Sequence, residues 1–534
     1  MTVAVIGNGP VGQTTALLLA RWGVPVVLLD DRAGRDAEGS KAICQQGDVL
    51  DIWDSVGAGR VIADEGLTWT CARTYYRDRE LFADTLGLTG ASFPPFVNIS
   101  QSRTEQILDE RIAASPLIGV RWNSRVTGLV QDAEGVTISI GADAVRADYA
   151  VACAGTRGEQ VREMLGVSFG GSSFADKFLI CDIKTELPGW ADERRFYFDP
   201  PWNPGRQVLI HPCPDSVFRI DWQVPGDYDP RIDPLGDRIR TVIGDRPYQI
   251  LWRSVYRFQS KVADRMRVGR VLLAGDCAHL FSPFGARGLN SGVADAENAA
   301  WKLAYVLRGR ARPDLLESYH AERHAAALEN LAVTTATMNF LVPHTESQRS
   351  RRHAVLAGAA DDPALRAQVD SGRLAEPFWY SDSPLTTPDP ARPPRGRPPR
   401  GTVPPPAPGI LLPDVTLPGA PGIPAPGLPG VPAPGASAGG GARVRALART
   451  GFLLLGAEAC DLDLVTPVPM SGALRDSLGA RPGELWLVRP DAHVAAILRD
   501  PAHVPAALRR CLGAAPGHLS YRYARGTRCG EVPR

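Results

Sequence analysis

The chain has 534 residues, of which 44% are apolar and 22% charged, and its 59 Lys and Arg nearly balance its 58 Asp and Glu. This length exceeds what one hydrophobic core fills, so we expect several domains, and the balanced charge gives no reason to bind nucleic acid or an anionic membrane. No apolar run approaches the roughly 18 residues of a membrane span, and the 9 cysteines include no CxxC pair, which indicates reduced core residues and neither a disulfide framework nor a metal site.

The amino-terminal pattern predicts a strand, a glycine-rich turn and a helix. The strand covers 3–6, the turn contains Gly7, Gly9 and Gly12, and the Ala/Leu-rich helix covers 13–22. Glycines at this spacing let the backbone approach a pyrophosphate, whose charge the free N–H groups and dipole of the helix start can hold. The turn therefore predicts a phosphate-binding loop.

A second predicted strand, over 25–29, ends at Asp30. Asp30 follows Gly12 by about 18 residues, close to the spacing of a carboxylate that binds ribose hydroxyls. The strand, turn, helix, strand and acid together predict dinucleotide binding. Because Met1 leads directly into the first strand, we also expect no signal peptide and a cytoplasmic protein.

Short β patterns between Pro and Gly turns occupy the middle of the chain. They cover 178–183, 195–198, 207–211 and 217–222. Several short strands bounded in this way predict an antiparallel sheet.

A second glycine-rich segment follows the first by about 260 residues, where 270–274 predicts a buried strand. Asp276, at the end of that strand, could accept hydrogen bonds from a polyol such as the ribityl chain of a flavin. The loop over 283–288 contains Gly285 and Gly288, which would let it pass close to a flat ring.

A helix is predicted over 293–307, with Asn290 or Ser291 as its cap. The positive end of this helix would face whatever the preceding loop holds. A reduced flavin carries negative charge on its pyrimidine edge, which such a helix end would stabilise. Together with the amino-terminal turn, this segment indicates FAD.

After Pro384 the chain becomes rich in Pro, Arg and Gly, and from Pro404 to Gly441 it is close to low complexity. Such a segment cannot bury a core, so we expect an extended linker with polyproline II character. Beyond the linker, buried-strand patterns recur at 451–455 and 485–488.

These motifs resemble the group A flavoprotein monooxygenases, and in particular the longer aromatic hydroxylases such as phenol hydroxylase, 3-(3-hydroxyphenyl)propionate hydroxylase and rifampicin monooxygenase. The resemblance covers nearly the whole chain. The matching segments are Gly7-Asn-Gly-Pro-Val-Gly12, Gly39-Ser-Lys-Ala-Ile43, Gln101 in Ser-Gln-Ser-Arg-Thr-Glu105, Phe198-Asp-Pro-Pro-Trp-Asn-Pro-Gly205, Gly275-Asp276, Pro283-Phe-Gly-Ala-Arg-Gly-Leu-Asn-Ser-Gly292 and Leu487-Val-Arg-Pro-Asp-Ala-His-Val494.

The resemblance implies an α/β fold, α+β overall, with a Rossmann-like FAD-binding domain of the GR2 type, an inserted antiparallel β-sheet substrate domain and a thioredoxin-like carboxy-terminal domain. The FAD-binding domain is expected over 1–170 and, with a helical region, over 266–383. The substrate domain is expected over 171–265, the linker over 384–441 and the thioredoxin-like domain over 442–534. Without a CxxC pair the last domain cannot exchange dithiols, so we expect a structural role, such as subunit contact in a homodimer.

By the same resemblance, the residues that hold FAD fall into three groups. Those for the ADP half and its surroundings are Gly7, Gly9, Pro10, Val11, Gly12, Asp30 and Lys41. Those for the middle of FAD are Gln101 and Asp276. Those for the isoalloxazine are Pro283, Phe284, Gly285, Gly288, Leu289 and Asn290.

The resemblance also implies the reaction. NADH or NADPH would reduce the flavin, O2 would be captured as a flavin C4a-hydroperoxide, and one oxygen atom would pass to a phenolic or polycyclic aromatic substrate. The flavin carries the difficult chemistry, and the protein supplies a dry pocket that holds the ring in place.

Pocket residues are sought on the predicted sheet, which would cover the substrate from the side opposite the flavin. Each candidate also has an ordinary explanation as a core or surface residue. The sequence does not indicate which side chain acts as a general base. The candidates are Trp202, His211, Arg219, Trp222 and Tyr256.

Two departures from the family pattern concern the nicotinamide. The segment Cys153-Ala-Gly-Thr-Arg-Gly158 has Ala154 where the family has an Asp, and Gln259 stands where relatives often have His. Arg157 and Arg162 remain candidate phosphate partners.

Ala154 motivates an alternative function, an aromatic-ligand-binding flavoprotein without turnover. A Baeyer–Villiger-type oxygenase on the same scaffold is a second alternative, because both would share the flavin site. A flavin halogenase is disfavoured, because the Trp-x-Trp-x-Ile-Pro motif is absent.

Overall fold

The computed structural model describes residues 1–35, 41–87, 92–393, 405–418 and 441–513. Among the described residues up to 168 there are eleven strands and five α-helices. The strands are β1 (Val3–Ile6), β2 (Val26–Leu29), β3 (Cys44–Gln46), β4 (Cys71–Tyr76), β5 (Arg79–Thr85), β6 (Phe96–Asn98), β7 (Ile118–Arg121), β8 (Val126–Gln131), β9 (Val136–Ile140), β10 (Asp143–Ala147) and β11 (Tyr149–Ala152). The helices are α1 (Pro10–Arg21), α2 (Gly47–Asp54), α3 (Gly59–Glu65), α4 (Gln101–Ala113) and α5 (Glu159–Met164).

The next part of the chain is mostly β-sheet. Its strands are β12 (Phe169–Lys184), β13 (Glu193–Phe198), β14 (Gln207–Cys213), β15 (Val217–Val224), β16 (Gln249–Ala263), β17 (Arg267–Val268), β18 (Val271–Leu273) and β19 (His279–Leu280). One helix, α6 (Leu235–Ile243), lies between β15 and β16.

Helices return before the carboxy-terminal sheet. They are α7 (Arg287–Leu307), α8 (Glu317–Leu341), α9 (Glu346–Gly358) and α10 (Pro363–Arg366). The last strands are β20 (Thr416–Pro418), β21 (Gly441–Arg443), β22 (Phe452–Leu455), β23 (Val465–Val468), β24 (Leu485–Val488) and β25 (Val494–Leu498), and the last helices are α11 (Val444–Ala448), α12 (Gly472–Leu478) and α13 (Val504–Cys511).

The Rossmann-like sheet has the strand order β17-β18-β11-β1-β2-β7. β1 lies between β2 and β11 and runs parallel to both, with Val5 opposite Leu28 and Val151. All four side chains of β1 are buried, as expected for a parallel sheet covered on both faces. The predicted Rossmann-like fold of this part of the chain is therefore confirmed.

The second sheet has eight strands, in the order β19-β16-β12-β15-β14-β13-β4-β5. The four strands predicted in the middle of the chain are part of it and pair antiparallel with one another, whereas β13 runs parallel to its other neighbour, β4. The boundary predicted at residue 170 needs correction, because β4 and β5, between Cys71 and Thr85, pair at the edge of this sheet. The local sequence of β4 and β5 predicts a hairpin but not the sheet that the hairpin joins. Only the long-range pairing with β13 shows that it belongs to the eight-stranded sheet.

The carboxy-terminal sheet has the order β23-β22-β24-β25. β22 and β23 are parallel, whereas β24 pairs antiparallel with both of its neighbours. With α12 and α13 this makes the mixed sheet and helices of a thioredoxin-like domain. Residues 514–534 of the predicted domain lie outside the described residues.

The predicted linker, 384–441, is ordered where the structure describes it. Leu412 and Leu417 are buried, Leu412 N–H donates to the Ala492 carbonyl at 2.8 Å, and β20 pairs with β21. These leucines have an apolar surface that their Pro- and Gly-rich surroundings lack, so they pack on the last domain. Residues 394–404 and 419–440 of the predicted linker lie outside the described residues.

The carboxy-terminal domain packs against the FAD-binding domain through aromatic side chains. Trp301 and Tyr305 of α7 each meet the Phe452 ring edge-on, with ring centroids 6.1 and 5.7 Å apart. All three side chains are nearly or fully buried in one core cluster. Buried aromatic pairs of this kind stabilise a protein by more than their buried area alone accounts for. Because these three side chains belong to one cluster, the two domains share a core.

A buried ion network crosses the same boundary. Arg489 is fully buried, and its guanidinium donates to Glu322 at 3.0 Å and to Asp491 at 2.6 Å. Glu322 also accepts from Lys302 Nζ at 2.6 Å. Burial favours the neutral acid, but Arg489 and Lys302 outweigh it and hold the pKa of Glu322 well below its ordinary range. The motif that contains Arg489 thus serves to dock the last domain.

We expect Arg489→Met to lower the free energy of unfolding by about 3–5 kcal/mol, because the buried carboxylate of Asp491 loses its guanidinium partner and that of Glu322 keeps only Lys302. The measurement is the thermal unfolding midpoint at neutral pH. Arg475→Met is the matched control, since Arg475 is exposed and exposed charges contribute little. An unchanged midpoint for Arg489→Met would contradict a stabilising role for the network.

Within the ranges that the structure describes, no helix is long and apolar enough to cross a membrane.

Candidate active site

The amino-terminal turn requires glycine at two positions, because a side chain there would collide with neighbouring backbone atoms. Gly7 has φ +107°, and a Cβ on it would lie 2.3 Å from the Cys153 carbonyl oxygen. A Cβ on Gly12 would lie 1.8 Å from the Gly7 carbonyl oxygen. The backbone of the turn is therefore packed tightly between β1, α1 and the end of β11.

Gly9 differs from the other two glycines. It precedes α1 with extended backbone, φ −85° and ψ −178°, and a Cβ on it would meet no described heavy atom within 4 Å. No side chain caps this helix, and Pro10 occupies its first turn, where its missing N–H costs no hydrogen bond. The turn thus has an open face in front of unpaired helix N–H groups, which is where a pyrophosphate binds in such folds.

Val11 connects the two glycine-rich segments. A Cβ on Gly292 would lie 2.5 Å from its Cγ2, and a Cβ on Gly275 would lie 3.0 Å from the same atom. The start of α1 can therefore approach α7 and the end of β18 only because both positions are glycine. This contact places the phosphate loop beside the predicted flavin loop.

Asp30 lies at the end of β2, as the sequence predicts, and is almost fully buried. Its carboxylate accepts from the Asn8 N–H at 2.7 Å and from Arg32 Nε at 2.8 Å. Burial raises the pKa of Asp30, but the Arg32 and Asn8 hydrogen bonds outweigh it and leave the pKa below its ordinary value. Asp30 is thus an ionised acceptor beside the phosphate loop.

Gln101 and Lys41 lie on the same side of the domain. Gln101 begins α4, and its Oε1 accepts from the Ala42 N–H at 3.0 Å while its Nε2 donates to Glu105 at 2.8 Å. Lys41 has an exposed side chain. Gly39 and Ser40, which complete the predicted motif, lie outside the described residues.

Asp276 follows β18 on a short 3₁₀ turn and is half-buried. One carboxylate oxygen lies 3.9 Å from where a Cβ on Gly288 would stand, so the carboxylate faces the start of α7. It has no hydrogen-bond partner among the described residues, and burial raises its pKa. A half-buried carboxylate without a protein donor fits a ligand that carries hydroxyl groups.

The flavin loop is held by tight backbone contacts. Gly285 has φ +91°, and a Cβ on it would lie 2.1 Å from the Arg373 carbonyl oxygen. Ala286 is left-handed at φ 53° and precedes α7, which begins at Arg287. The helix therefore starts three residues before Asn290, and the predicted cap at Asn290 or Ser291 is wrong.

Asn290 has a different role from the predicted cap. Its side chain accepts from the Gln46 N–H at 3.0 Å and donates to the carbonyls of Cys44 at 2.9 Å and Ala286 at 2.6 Å. It therefore ties the first turn of α7 to β3. Its neighbour Leu289 packs partly buried against the main core.

A buried ion network supports the turn that carries Asp276. Asp295 on α7 accepts from the Gly275 N–H at 3.0 Å, from His279 Nε2 at 2.7 Å and from Arg323 at 2.7 Å. Burial opposes its ionisation, but His279 and Arg323 lower its pKa to about 2. The position of the turn is thus fixed by charge-assisted hydrogen bonds.

These features fit a flavin dinucleotide. The open face at Gly9 suits a pyrophosphate, and Asp30 and Asp276 offer acceptors for hydroxyl groups. The contacts of Val11 hold the second glycine-rich segment, which includes the loop around Gly285, beside the phosphate turn. A nicotinamide dinucleotide would need only the first part of this arrangement. The second loop is what favours FAD.

The eight-stranded sheet turns one face toward the flavin loop. Phe284 packs in a cluster with Phe178, Phe196 and Phe258, and its ring lies 5.5 Å from that of Phe178 and 6.1 Å from that of Phe258. Tyr256, a predicted pocket residue, packs against the same cluster, whereas Pro283 is exposed. An apolar aromatic surface thus lies directly behind the flavin loop.

Two predicted pocket residues lie on the other face. Trp222 is 1% exposed in a cluster that includes Ile239 of α6, and Trp202 packs against that cluster. Successive side chains of a strand point to opposite faces, so Trp222 points away from the side to which Arg219 points. Neither tryptophan belongs to the surface behind Phe284.

His211 and Arg219 lie on the flavin-facing side, directly opposite each other on β14 and β15. Arg219 pairs with Asp182 through two hydrogen bonds of 2.7 and 2.8 Å, and it donates to the Lys41 carbonyl at 3.0 Å. Burial, with Arg194 and Arg219 nearby, lowers the pKa of His211 well below its ordinary value, so its imidazole is neutral. Arg219 therefore links the sheet to the cofactor side of the site.

Asp221 is a residue that the sequence analysis missed. It follows Arg219 by two positions on β15, and hence faces the flavin side, between Ile180 and Leu209. Its Oδ1 is buried without a hydrogen-bond partner in the described structure. Burial raises its pKa to about 7, against an opposing effect of Arg219. The alternation of 217–224, which places Asp221 on the same face as Arg219, was the signal that could have identified it.

The predicted phosphate partners have other contacts. Arg162 is buried and donates to the Cys277 carbonyl at 3.0 Å, whereas the exposed Arg157 pairs with Asp31 at 3.4 Å. Gln259 lies opposite Ser173 within the sheet. Ala154 packs beside the phosphate turn, its Cα 3.1 Å from where a Cβ on Gly7 would stand.

Comparisons with known proteins identify the family of the chain. The sequence model of the FAD binding domain family matches residues 1–334. A 3-(3-hydroxyphenyl)propionate/3-hydroxycinnamic acid hydroxylase of Burkholderia vietnamiensis is 31% identical over 389 residues, which cover 69% of this chain and 68% of that protein. The chain belongs to the group A FAD-dependent aromatic monooxygenases. The predicted family is thereby confirmed.

A hydroxylase of the same name from Mycolicibacterium smegmatis is 27% identical to this monooxygenase over 385 residues, 69% of this chain and 66% of that protein. The aligned part of the monooxygenase thus spans about two thirds of the length of these relatives. Both relatives are named as hydroxylases, so a Baeyer–Villiger oxygenase is not favoured.

Solved structures resemble the monooxygenase over nearly its whole length. The flavin-dependent monooxygenase PieE, in complex with FAD and substrate, has a TM-score of 0.79 at 23% identity, over 96% of this chain and 99% of that one. Aklavinone-11 hydroxylase, with FAD and aklavinone, has a TM-score of 0.75 at 22% identity over the same shares. At these identities the likeness concerns the fold, including the thioredoxin-like domain.

Proposed function

We propose that this monooxygenase hydroxylates an aromatic substrate that carries a phenolic hydroxyl, with O2 as co-substrate and NADH or NADPH as reductant. The observation that carries the proposal is the position of Asp221 and the aromatic surface behind Phe284, both on the sheet face that meets the flavin loop. The named relatives act on 3-(3-hydroxyphenyl)propionate and 3-hydroxycinnamic acid, which are phenols. Eight free cysteines in the described ranges suit a reducing cytoplasm.

FAD, when bound, would supply the redox chemistry of the site, namely hydride acceptance from a nicotinamide and transfer of one oxygen atom to the aromatic ring. Gly9, Asp30, Asp276 and Asn290 are the residues that would hold it. Phe284 and its aromatic neighbours exclude water from the side where the substrate ring would lie. An excluded site of this kind protects a reactive oxygen species from water.

Asp221 is the candidate proton acceptor for the substrate hydroxyl. A phenolate is more electron-rich than a phenol, so removing the proton makes the ring more reactive toward an electrophilic oxygen. A general base works best when its pKa lies near the working pH, and burial brings the pKa of Asp221 to about 7. Arg219 positions this strand against the Lys41 segment.

Anaerobic reduction tests this function. The flavin of the purified protein should bleach slowly with NADH or NADPH alone, and faster by orders of magnitude when a phenol such as 3-(3-hydroxyphenyl)propionate is present. A bound flavin that neither nicotinamide reduces under any condition would contradict the proposal.

A flavoprotein that binds an aromatic ligand without turnover is the second candidate. The observation that favours it is Ala154, whose methyl group replaces an acid of the family beside the phosphate turn. Such a protein would bind the same phenols but show no ligand-stimulated reduction. The anaerobic experiment therefore separates the two functions.

A further inference from the structure

The sheet face that meets the flavin loop has a polar row of side chains at one end. His211 of β14 lies directly opposite Arg219 of β15. Arg194 of β13 lies on the other side of His211, one step beyond the pair that Arg195 makes with Ile210. Ile210 belongs to the cluster on the opposite face, and successive side chains of a strand alternate between faces. The imidazole is thus flanked by two guanidinium groups on the flavin side.

Arg194 connects one end of this row to the flavin loop. It donates to the Ser371 carbonyl at 2.8 Å. The next residue, Gly372, packs so closely on the loop that a Cβ on it would lie 2.9 Å from the Phe284 Cβ. Arg219, at the other end of the row, binds the segment that leads into β3. The imidazole between the two arginines therefore lies next to the flavin loop.

His211 faces an enclosed space. On its side of the sheet Leu209 and Arg219 are nearly fully buried, whereas His211 and Asp221 keep accessible surface. Burial is nevertheless the largest cause of the lowered pKa of His211, so this surface belongs to the inside of the protein. Among the residues that the structure describes, none forms a hydrogen bond with the imidazole. Enclosed polar groups are normally hydrogen-bonded, so the imidazole is placed to bind a ligand.

The charged and titratable groups around His211 come from five strands. They are Arg194 of β13, Arg219 and Asp221 of β15, Asp182 of β12, Cys44 of β3 and Cys213 of β14. Burial and the two arginines keep the pKa of His211 low, so its imidazole is neutral and donates one N–H. Burial raises the pKa of both thiols to about 12, and Asp182 is paired with Arg219. A negatively charged oxygen beside His211 would therefore meet an N–H donor and positive guanidinium charge.

We propose that His211 binds the substrate, its N–H donating a hydrogen bond to the phenolic oxygen and stabilising it as a phenolate. The inference rests on the proposed function, because it names a second residue for the same substrate hydroxyl. Asp221 is the diagonal neighbour of His211 across β14 and β15, which corresponds to a Cα separation of roughly 7–8 Å. The two side chains can thus reach one oxygen from two sides.

The two residues divide the ionisation of the substrate between them. The O–H bond of the phenol breaks, and its proton forms a new O–H bond with the Asp221 carboxylate. The electron pair stays on the phenolic oxygen, where the N–H of His211 and the charge of Arg194 stabilise it. Asp221 is neutral once it holds the proton, so it does not repel the phenolate.

The test uses 4-nitrophenol, whose phenolate absorbs visible light, bound to the oxidised holoenzyme without nicotinamide. Difference spectra over a pH series give the ionisation constant of the bound phenol. The wild-type protein should ionise it more readily than water does. His211→Met removes the N–H donor and should lower this constant about tenfold to a hundredfold, as expected for a hydrogen bond to a charged group.

His211→Gln is the matched variant, since glutamine has nearly the length of methionine but carries an amide N–H, and it should keep most of the wild-type ionisation. His344→Met is the control, because His344 is exposed. If His211→Met fails to fold, His211→Leu takes its place. The proposal is overturned if the wild-type protein ionises the phenol no more readily than water does, if His211→Met keeps the wild-type constant, or if His211→Met and His211→Gln lower it equally.

This readout requires bound FAD but no turnover, which keeps the proposal distinct from the proposed function. A lower ionisation constant in His211→Met, together with a flavin that no nicotinamide reduces, would support the role of His211 and contradict the hydroxylase. Phenol-stimulated reduction of the flavin, together with equal constants in wild type and His211→Met, would support the hydroxylase and contradict the role of His211.

Discussion

Gly9→Val is expected to abolish FAD binding while the apoprotein keeps its fold. The backbone of Gly9 is extended, so a β-branched residue is not strained there, and a Cβ meets no described atom within 4 Å. The valine side chain would instead occupy the open face in front of α1, where the pyrophosphate is expected. FAD affinity should fall at least about 100-fold, or about 2.8 kcal/mol.

The measurement is the ratio of flavin to protein in the purified variant, followed by titration of the apoprotein with FAD. Gly472→Ala is the control, since a Cβ there also meets no described atom but the residue begins α12, in the carboxy-terminal domain. Unfolding of apo Gly9→Val should match that of the wild-type apoprotein. Full retention of FAD by Gly9→Val would contradict the assignment of the turn as the phosphate site.

Asp221→Asn is expected to lower kcat with phenolic substrates by about 100-fold or more, the usual effect of losing a general base. The wild-type rate should rise as the pH passes about 7, where Asp221 becomes ionised, and this limb of the profile should vanish in the variant. FAD content should be unchanged. Asp237→Asn, at an exposed position on α6, is the control.

The same substitution should stabilise the fold at alkaline pH. Asp221 titrates near pH 7 in the folded protein and near its ordinary 3.8 when unfolded, so only well below pH 3.8 is it protonated in both states. As the pH rises from 4 to 7 the unfolded state ionises first, and the wild-type protein loses stability that Asp221→Asn keeps. At pH 8 the gain should reach at most about 4 kcal/mol, at about 1.4 kcal/mol for each pKa unit.

Unfolding midpoints at pH 4 and pH 8 check this expectation. A residue that serves catalysis at the expense of stability should give a variant that is less active and, only at the higher pH, more stable. If Asp221→Asn is as active as the wild-type protein at both pH values, Asp221 takes no part in the reaction.

Local patterns were sufficient to predict the phosphate turn. A buried strand, three spaced glycines and a helix start are all encoded within about a dozen residues, although the close contacts that require glycine at position 7 come from Cys153 and Ala154 at the end of β11. The start of α7 was not predictable in the same way. Asn290 is a good capping residue, but its side chain is used by β3, some 245 residues earlier in the chain.

The pocket was harder to predict, because it depends on which face of the sheet meets the flavin. Arg219 and Trp222 were both placed in the pocket, although residues three apart on a strand point to opposite faces. Strict alternation would have paired Arg219 with Asp221 instead. The side on which β4 and β5 join the sheet, and the packing of Leu412, depend on contacts between distant segments that no local pattern contains.

Incorporation of labelled oxygen tests the account most directly. The holoenzyme is supplied with NADH or NADPH, a phenol and ¹⁸O2, and the product is examined by mass spectrometry. We expect a hydroxylated ring that carries one ¹⁸O atom, formed in proportion to the nicotinamide consumed. Nicotinamide oxidation that yields only hydrogen peroxide and unchanged phenol, across a broad panel of phenols and aromatic acids, would contradict the assignment of this protein as an aromatic hydroxylase.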